Sequence, residues 1–175
     1  FLNKILEAGV SVLKIEGRAR PPEYVYTVVR CYREAIESYF EGTYSIEKIE
    51  HWKAQLKTVF NRGFWDGYYL GQKLGEWSHV YGSKATKRKV YVGKGINYFP
   101  KIKVAEFLCE AAEISENDEF LITGPTTGIV EGRITEIRVD LKNVPLARKG
   151  ELFSIPLNNM IRRSDKLYKL IPGEK

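Results

Sequence analysis

The chain has 175 residues, 43% of them hydrophobic, with a formal net charge of +6 and a sequence pI near 9.2. That length holds one or two domains with a real core, no apolar run approaches membrane-spanning length, and no signal peptide is visible. Two histidines and two distant cysteines, Cys31 and Cys109, leave too few ligands for a metal site within the chain; both thiols read as core residues of a reduced, cytoplasmic protein.

Phe1 is no initiator, so the chain reads as part of a longer protein, opening with the tail of a helix, Leu2 to Ala8, that ends at Gly9. Val12, Leu13 and Ile15 then predict a short buried strand that breaks at Gly17. The charged elbow after it carries Glu16, Arg18 and Arg20, the candidate catalytic residues, because α/β folds bind ligands past the carboxyl ends of their strands. The alternative is a salt-bridged surface turn. Pro21 and Pro22 suit a first helical turn, and Glu23 complements its dipole. The helix from about Pro22 to Phe40 has apolar residues on two sides: Tyr24, Val28, Cys31, Ala35 and Tyr39, widened by Val25, Val29, Tyr32 and Ile36. Gly42 stops it. Ser45 caps a second helix with Ile46, Ile49, Leu56, Val59 and Phe60 on one face and Trp52 as a packing residue.

From Asn61 to Gly82 the period disappears and aromatic residues alternate with glycine: Phe64, Trp65, Tyr68, Tyr69, Trp77 and Tyr81. Beside Arg62 and Lys73 they offer stacking faces for unpaired bases, or they wedge two domains together. Lys84, Lys87, Arg88 and Lys89 mark a boundary that divides the chain into residues 1–83 and 84–175. Beyond it, six apolar runs predict strands: Val90 and Val92, Ile102 and Val104, Phe120 and Ile122, Ile129 to Val139, Phe153 and Ile155, and Leu167 to Ile171. The fold class is therefore α+β, a mostly helical segment followed by a small closed β barrel. Lys101, Lys103, Arg148, Lys149, Arg162 and Arg163 join the basic boundary segment as candidate RNA-binding residues on one face of that barrel, against the alternative of a solvated surface.

Three stretches carry resemblances. Leu13-Lys14-Ile15-Glu16-Gly17-Arg18, Arg20, Pro22-Glu23-Tyr24-Val25, Val28-Val29 and Tyr32-Arg33-Glu34-Ala35-Ile36 resemble the signature of the collagenase-like U-32 peptidase family. Phe60-Asn61-Arg62-Gly63-Phe64 with Gly67-Tyr68 and Gly71 follows in the family's order. The resemblance implies that residues 1–83 end a catalytic (β/α) barrel and contact its upstream part. Several members are associated with base or quinone-ring hydroxylation and carry an iron-sulfur cluster, which would lie upstream of Phe1; no cofactor is expected within the chain. Residues 116–124 and 147–155 are similar to turn-and-strand units of the second domain of elongation factor Tu, with Gly124 and Gly150 at tight backbone.

Two function classes follow. One is an RNA-modifying enzyme, hydroxylating a tRNA or rRNA base, whose barrel grips RNA. The other is a collagenase-like peptidase or peptide-binding protein with the barrel as an accessory protein-interaction domain, although the chain has no Ser-His-Asp set and no His-Glu-x-x-His motif. One strand and one elbow cannot assemble a barrel-mouth site, so these residues alone are expected to be inactive.

Overall fold

The computed structural model describes residues 1–69, 71 and 82–173. Lys73, Trp77, His79 and Tyr81 lie outside the described residues. The chain divides into two compact units, Phe1–Lys87 with Gly173–Lys175, and Arg88–Pro172. Lys84 and Lys87 thus go with the first unit, and Arg88 and Lys89 with the second.

The first unit is helical: α1 (Leu2–Glu7), α2 (Pro22–Phe40) and α3 (Ile46–Thr58). In α2, Pro21 is the N-cap and Pro22 opens the first turn, where a missing N–H costs nothing. The helix ends in a Schellman motif. Gly42 has φ +70°, its N–H donates to the Tyr39 carbonyl at 3.1 Å, and the Thr43 N–H donates to that of Ser38 at 2.8 Å. In α3 the Ser45 hydroxyl accepts from the Lys48 N–H at 3.4 Å, as its cap position predicts. The seam between the two helices is filled by Cys31, Ala35 and Trp52, with Leu2, Tyr44, Ile49 and Leu56 against them. The Trp52 Nε1 donates to Glu34 Oε2 at 3.0 Å, so the buried indole leaves no donor orphaned. Ile46, placed on the buried face by its spacing, is exposed, because it stands in the first turn of α3 and Trp52 occupies the middle of the seam.

Residues 10–17 are not the expected buried strand. They form no regular element and join no ladder among the described residues, and Val12 is 81% exposed. The alternation survives, with Leu13 and Ile15 half-buried and Val12 and Lys14 exposed, but a strand also needs a neighbour for its backbone hydrogen bonds.

The second unit is a β fold of β1 (Lys87–Phe99), β2 (Val104–Cys109), β3 (Ile114–Ser115), β4 (Glu119–Gly124), β5 (Gly128–Arg133), β6 (Arg138–Val139), β7 (Lys142–Asn143), β8 (Leu146–Ala147), β9 (Leu152–Pro156) and β10 (Lys166–Pro172). Eight strands form one sheet in the order β5-β4-β10-β1-β2-β9-β6-β7, and β3 pairs with β8. The molecule is therefore α+β. The barrel expected to be closed is not closed by hydrogen bonds: β5 and β7 stand at the two ends of the sheet, with no ladder between them among the described residues. The sheet nevertheless surrounds one core, built on Val92, Phe107, Ile122, Phe153, Ile155 and Leu167.

Two expected strands differ. The run Ile129 to Val139 breaks between Arg133 and Arg138, with Ile134 and Ile137 still buried in the core. Ile102 lies in the β1–β2 turn, 68% exposed, because Lys103 takes φ +52° and the strand restarts at Val104. At Gly124 the constraint is space rather than dihedral angle. A Cβ there would stand 1.9 Å from Oδ1 of Asp165, a carboxylate only 2% exposed. That carboxylate accepts from the Thr127 hydroxyl at 2.5 Å and the Arg162 N–H at 2.8 Å, clasping the β4–β5 turn to the β9–β10 connection.

Candidate functional site

The elbow is a tight turn. Glu16 Oε1 accepts from the Arg18 N–H at 2.7 Å, the Arg20 N–H donates to the Gly17 carbonyl at 3.0 Å, and Ala19 between them has φ +56°. This geometry separates the three candidate catalytic residues. Glu16 caps its own turn and lines a cleft, Arg18 stays exposed, and Arg20 turns to Phe60, its guanidinium 3.9 Å from the ring centroid and 6.0 Å from that of Tyr24.

Phe60 is the meeting point of the two segments that carry the U-32 resemblance. Arg62 lies 6.0 Å from the same centroid. The backbone behind it is tied down, with Asn61 Nδ2 donating to the Val59 carbonyl at 2.9 Å and the Lys84 N–H donating to the Asn61 carbonyl at 2.7 Å. Lys84 Nζ then sits 3.8 Å from where a Cβ on Gly63 would stand. Arg20, Arg62 and Lys84, distant in sequence, are therefore grouped about residues 60–63. The ring faces of Phe60 and Tyr24 hold the Arg20 cation through their quadrupoles, each contact worth about 0.5–1 kcal/mol at an exposed site. Residue spacing carries no signal for this arrangement, since an aromatic at a helix end reads as packing.

A cleft of about 800 Å³ adjoins the elbow, lined by Leu13 to Glu16, by Tyr24, Val28, Cys31 and Tyr32 of α2, by Trp52, Lys53 and Leu56 of α3, and by Phe64, Trp65 and Tyr69. Trp65 and Tyr68 meet edge to face at 5.0 Å, and both keep exposed surface. Burial pushes the Cys31 thiol above its ordinary range, and its Sγ lies 3.4 Å from Gln55 Oε1, so it is a packed thiol rather than a nucleophile. Cys109 is likewise buried and raised. Among the described residues no group of three or more His, Cys, Asp and Glu could hold a metal ion, and no helix is long and apolar enough to cross a membrane.

The basic residues of the β unit do not make one face. Register puts Gly93 opposite Cys109 and Phe99 opposite Val104, and the Gly150 N–H donates to the Cys109 carbonyl. Arg88, Lys89, Arg148 and Lys149 therefore lie towards one end of the sheet. Lys101 and Lys103, on the β1–β2 turn, lie at the other with Arg162 and Arg163, whose connection meets β1 where the Ser164 N–H donates to the Gly95 carbonyl at 2.9 Å. β9, five residues and roughly 17 Å of strand, separates the turn that carries Arg148 and Lys149 from the connection that carries Arg162 and Arg163. Lys89 Nζ stands 4.7 Å over the Tyr168 ring. Tyr91 beside it donates to Glu110 Oε2 at 2.5 Å, while Lys94 Nζ pairs with Glu110 Oε1 at 2.6 Å. This cluster was not legible in the sequence, because its members come from β1, from β10 and from Glu110 just past the end of β2.

Residues 1–79 match the peptidase family U32 model. Along all 175 residues the chain is 61% identical to a collagenase of Porphyromonas gingivalis, of which it spans 42%. It is 32% identical over 96 residues to tRNA hydroxylation protein P1 of Bacillus subtilis, covering 54% of this chain and 22% of that protein. The chain is consistent with a member of peptidase family U32, whose model covers residues 1–79. A domain from a Geobacillus thermoleovorans protein described as a U32 peptidase, its C-terminal domain, covers 45% of this chain and 90% of its own, at 16% identity and a TM-score of 0.43.

Proposed function

We propose that the chain is part of a U32 enzyme that hydroxylates a base of tRNA or ribosomal RNA in the cytoplasm, with the β unit as its RNA-binding module. The observation that carries this reading is the pairing of Arg20 and Arg62 on Phe60, with the partly exposed Trp65 and Tyr68 a few residues further along the chain. Guanidinium forks suit phosphate, and flat rings suit unpaired bases. The name of the Bacillus relative accords with it. An iron-sulfur cluster, held on cysteines outside these 175 residues, would supply the redox chemistry. Cys31 and Cys109 are both buried and lie in different units, so they do not form a ligand set and no step of the oxidation is assigned to this chain.

A second reading, a collagenase-like peptidase or peptide-binding protein with the β unit as an accessory protein-interaction domain, is favoured by the 61% identity to a protein of that name along the whole chain. Mass spectrometry of tRNA and ribosomal RNA nucleosides from a strain lacking the gene separates the two. Loss of one hydroxylated nucleoside, restored by the gene, is the expected result. An unchanged nucleoside profile together with lost collagen cleavage would transfer the conclusion to the second reading.

A further inference from the structure

One end of the β unit is formed by three segments, residues 99–104, 124–128 and 156–166, and their charges are lopsided. They contain Lys101, Lys103, Arg162, Arg163 and Lys166, all exposed, and a single acid, Asp165. The unit's ten other acids, from Glu106 to Glu151, lie outside these segments. Among the described residues none of the five cations has an ion-pair partner. Asp165 points inward, to the Thr127 hydroxyl and the Arg162 N–H. Elsewhere in the unit acids lie among the cations: Arg133 pairs with Glu119 at 3.2 Å and Lys94 with Glu110 at 2.6 Å, and Glu151 accepts from the Arg148 N–H at 2.7 Å, although the Arg148 and Lys149 side chains form no ion pair among the described residues.

The segments are also held rigidly. The Tyr98 hydroxyl is 2.9 Å from the Leu157 carbonyl and 3.1 Å from that of Asn158, the Leu157 N–H donates to the Lys103 carbonyl at 2.8 Å, and the Gly95 N–H to that of Asp165 at 2.7 Å. Unpaired cations on a fixed backbone spend little ordering entropy when an anion binds. Adjacent arginines present bidentate forks for phosphate, and the exposed Phe99 ring at the end of β1 offers a stacking face.

We propose that this end of the β unit is the contact surface for the sugar-phosphate backbone of single-stranded RNA, and that the opposite end, with Arg148 and Lys149, is not. The proposal rests on the RNA reading above and narrows it to a place. A flexible polyanion can follow cations spread over three turns, whereas a membrane-binding surface needs a broad continuous apolar face. Here the exposed apolar side chains are three, Phe99 and Ile102 on the first segment and Met160 on the third, set among the charges.

The test is fluorescence anisotropy of the 175-residue chain with a labelled oligouridylate over a salt series. Four neutralised phosphates predict an affinity loss of about fiftyfold over a fourfold rise in salt. Joint Arg162→Glu and Arg163→Glu substitution should weaken binding at least about tenfold and flatten the logarithmic salt slope by about 1.4, as two lost single-strand phosphates require. Arg148→Glu with Lys149→Glu, the same change of net charge, should cost less than about threefold. Circular dichroism checks folding, and Lys101→Gln with Lys103→Gln gives a milder second pair expected to act in the same direction. Equal losses from both ends, no loss from either, or binding to phosphatidylglycerol vesicles without binding to the oligonucleotide would overturn the proposal. Selective loss in a protein whose deletion leaves every hydroxylated nucleoside in place would keep this surface and remove the enzymatic reading. A nucleoside that disappears, with binding indifferent to Arg162 and Arg163, would do the reverse.

Discussion

The β unit buries sixteen side chains in one cluster; among the described residues the helical unit buries three in its seam, Cys31, Ala35 and Trp52, with four half-buried neighbours. The first stands on apolar area removed from water, at roughly 25 cal/mol per Å². The second is held largely by individual ties: a Schellman motif, a serine cap, the Trp52–Glu34 hydrogen bond, and Arg20 on Phe60. The candidate site and its cleft lie in the unit with the smaller core. A surface that exposes aromatic rings to a ligand cannot also bury them in a core.

The largest expected effect tests the core of the β unit. Phe153 stacks on Phe107 at 5.8 Å and is 1% exposed, so Phe153→Ala should cost about 3–5 kcal/mol in urea unfolding. A loss below about 1 kcal/mol would erase the distinction between the two regions. Trp52→Phe keeps most of the ring but removes the donor to Glu34, and should cost about 1–2 kcal/mol, read from the helical signal. If the β signal moved equally, the two units would be unfolding as one. Ser45→Ala removes the cap of α3 and should cost about 1 kcal/mol in that helical signal alone.

The smallest effect is a pH dependence in the β unit. Burial, then the hydrogen bond to Glu110, pushes the Tyr91 hydroxyl up to about 12 from 10.0. A pKa raised by folding contributes stability that is fully present below the unfolded value and is lost as pH rises through the folded one. Stability should therefore decline between pH 10 and about 12, and less steeply in Tyr91→Phe. Parallel alkaline profiles for the two proteins would show that Tyr91 contributes nothing to the difference.

Local signals in the sequence determined the local structure. Pro21-Pro22 and Gly42 bound α2, Ser45 caps α3, and apolar alternation marks β2 and β9. These features act within a turn or two of chain, so their residues specify them whatever lies elsewhere. The strand expected at Val12 to Ile15 failed for the complementary reason: alternation supplies two faces, but only a neighbouring strand can accept its hydrogen bonds. The two-residue strands β3, β6, β7 and β8 are too short to show any period. Nor could basic clusters be assigned to a face before the register was known, because Lys101 and Arg148 share a charge but stand at opposite ends of the sheet. Tertiary structure alone brought Arg20 and Arg62 to one ring, turned Glu16 back onto its own loop, and aimed the Asp165 carboxylate inward so that five neighbouring cations face solvent. Where charges and rings meet depends on contacts between residues tens of positions apart, which packing decides and one-dimensional spacing does not record.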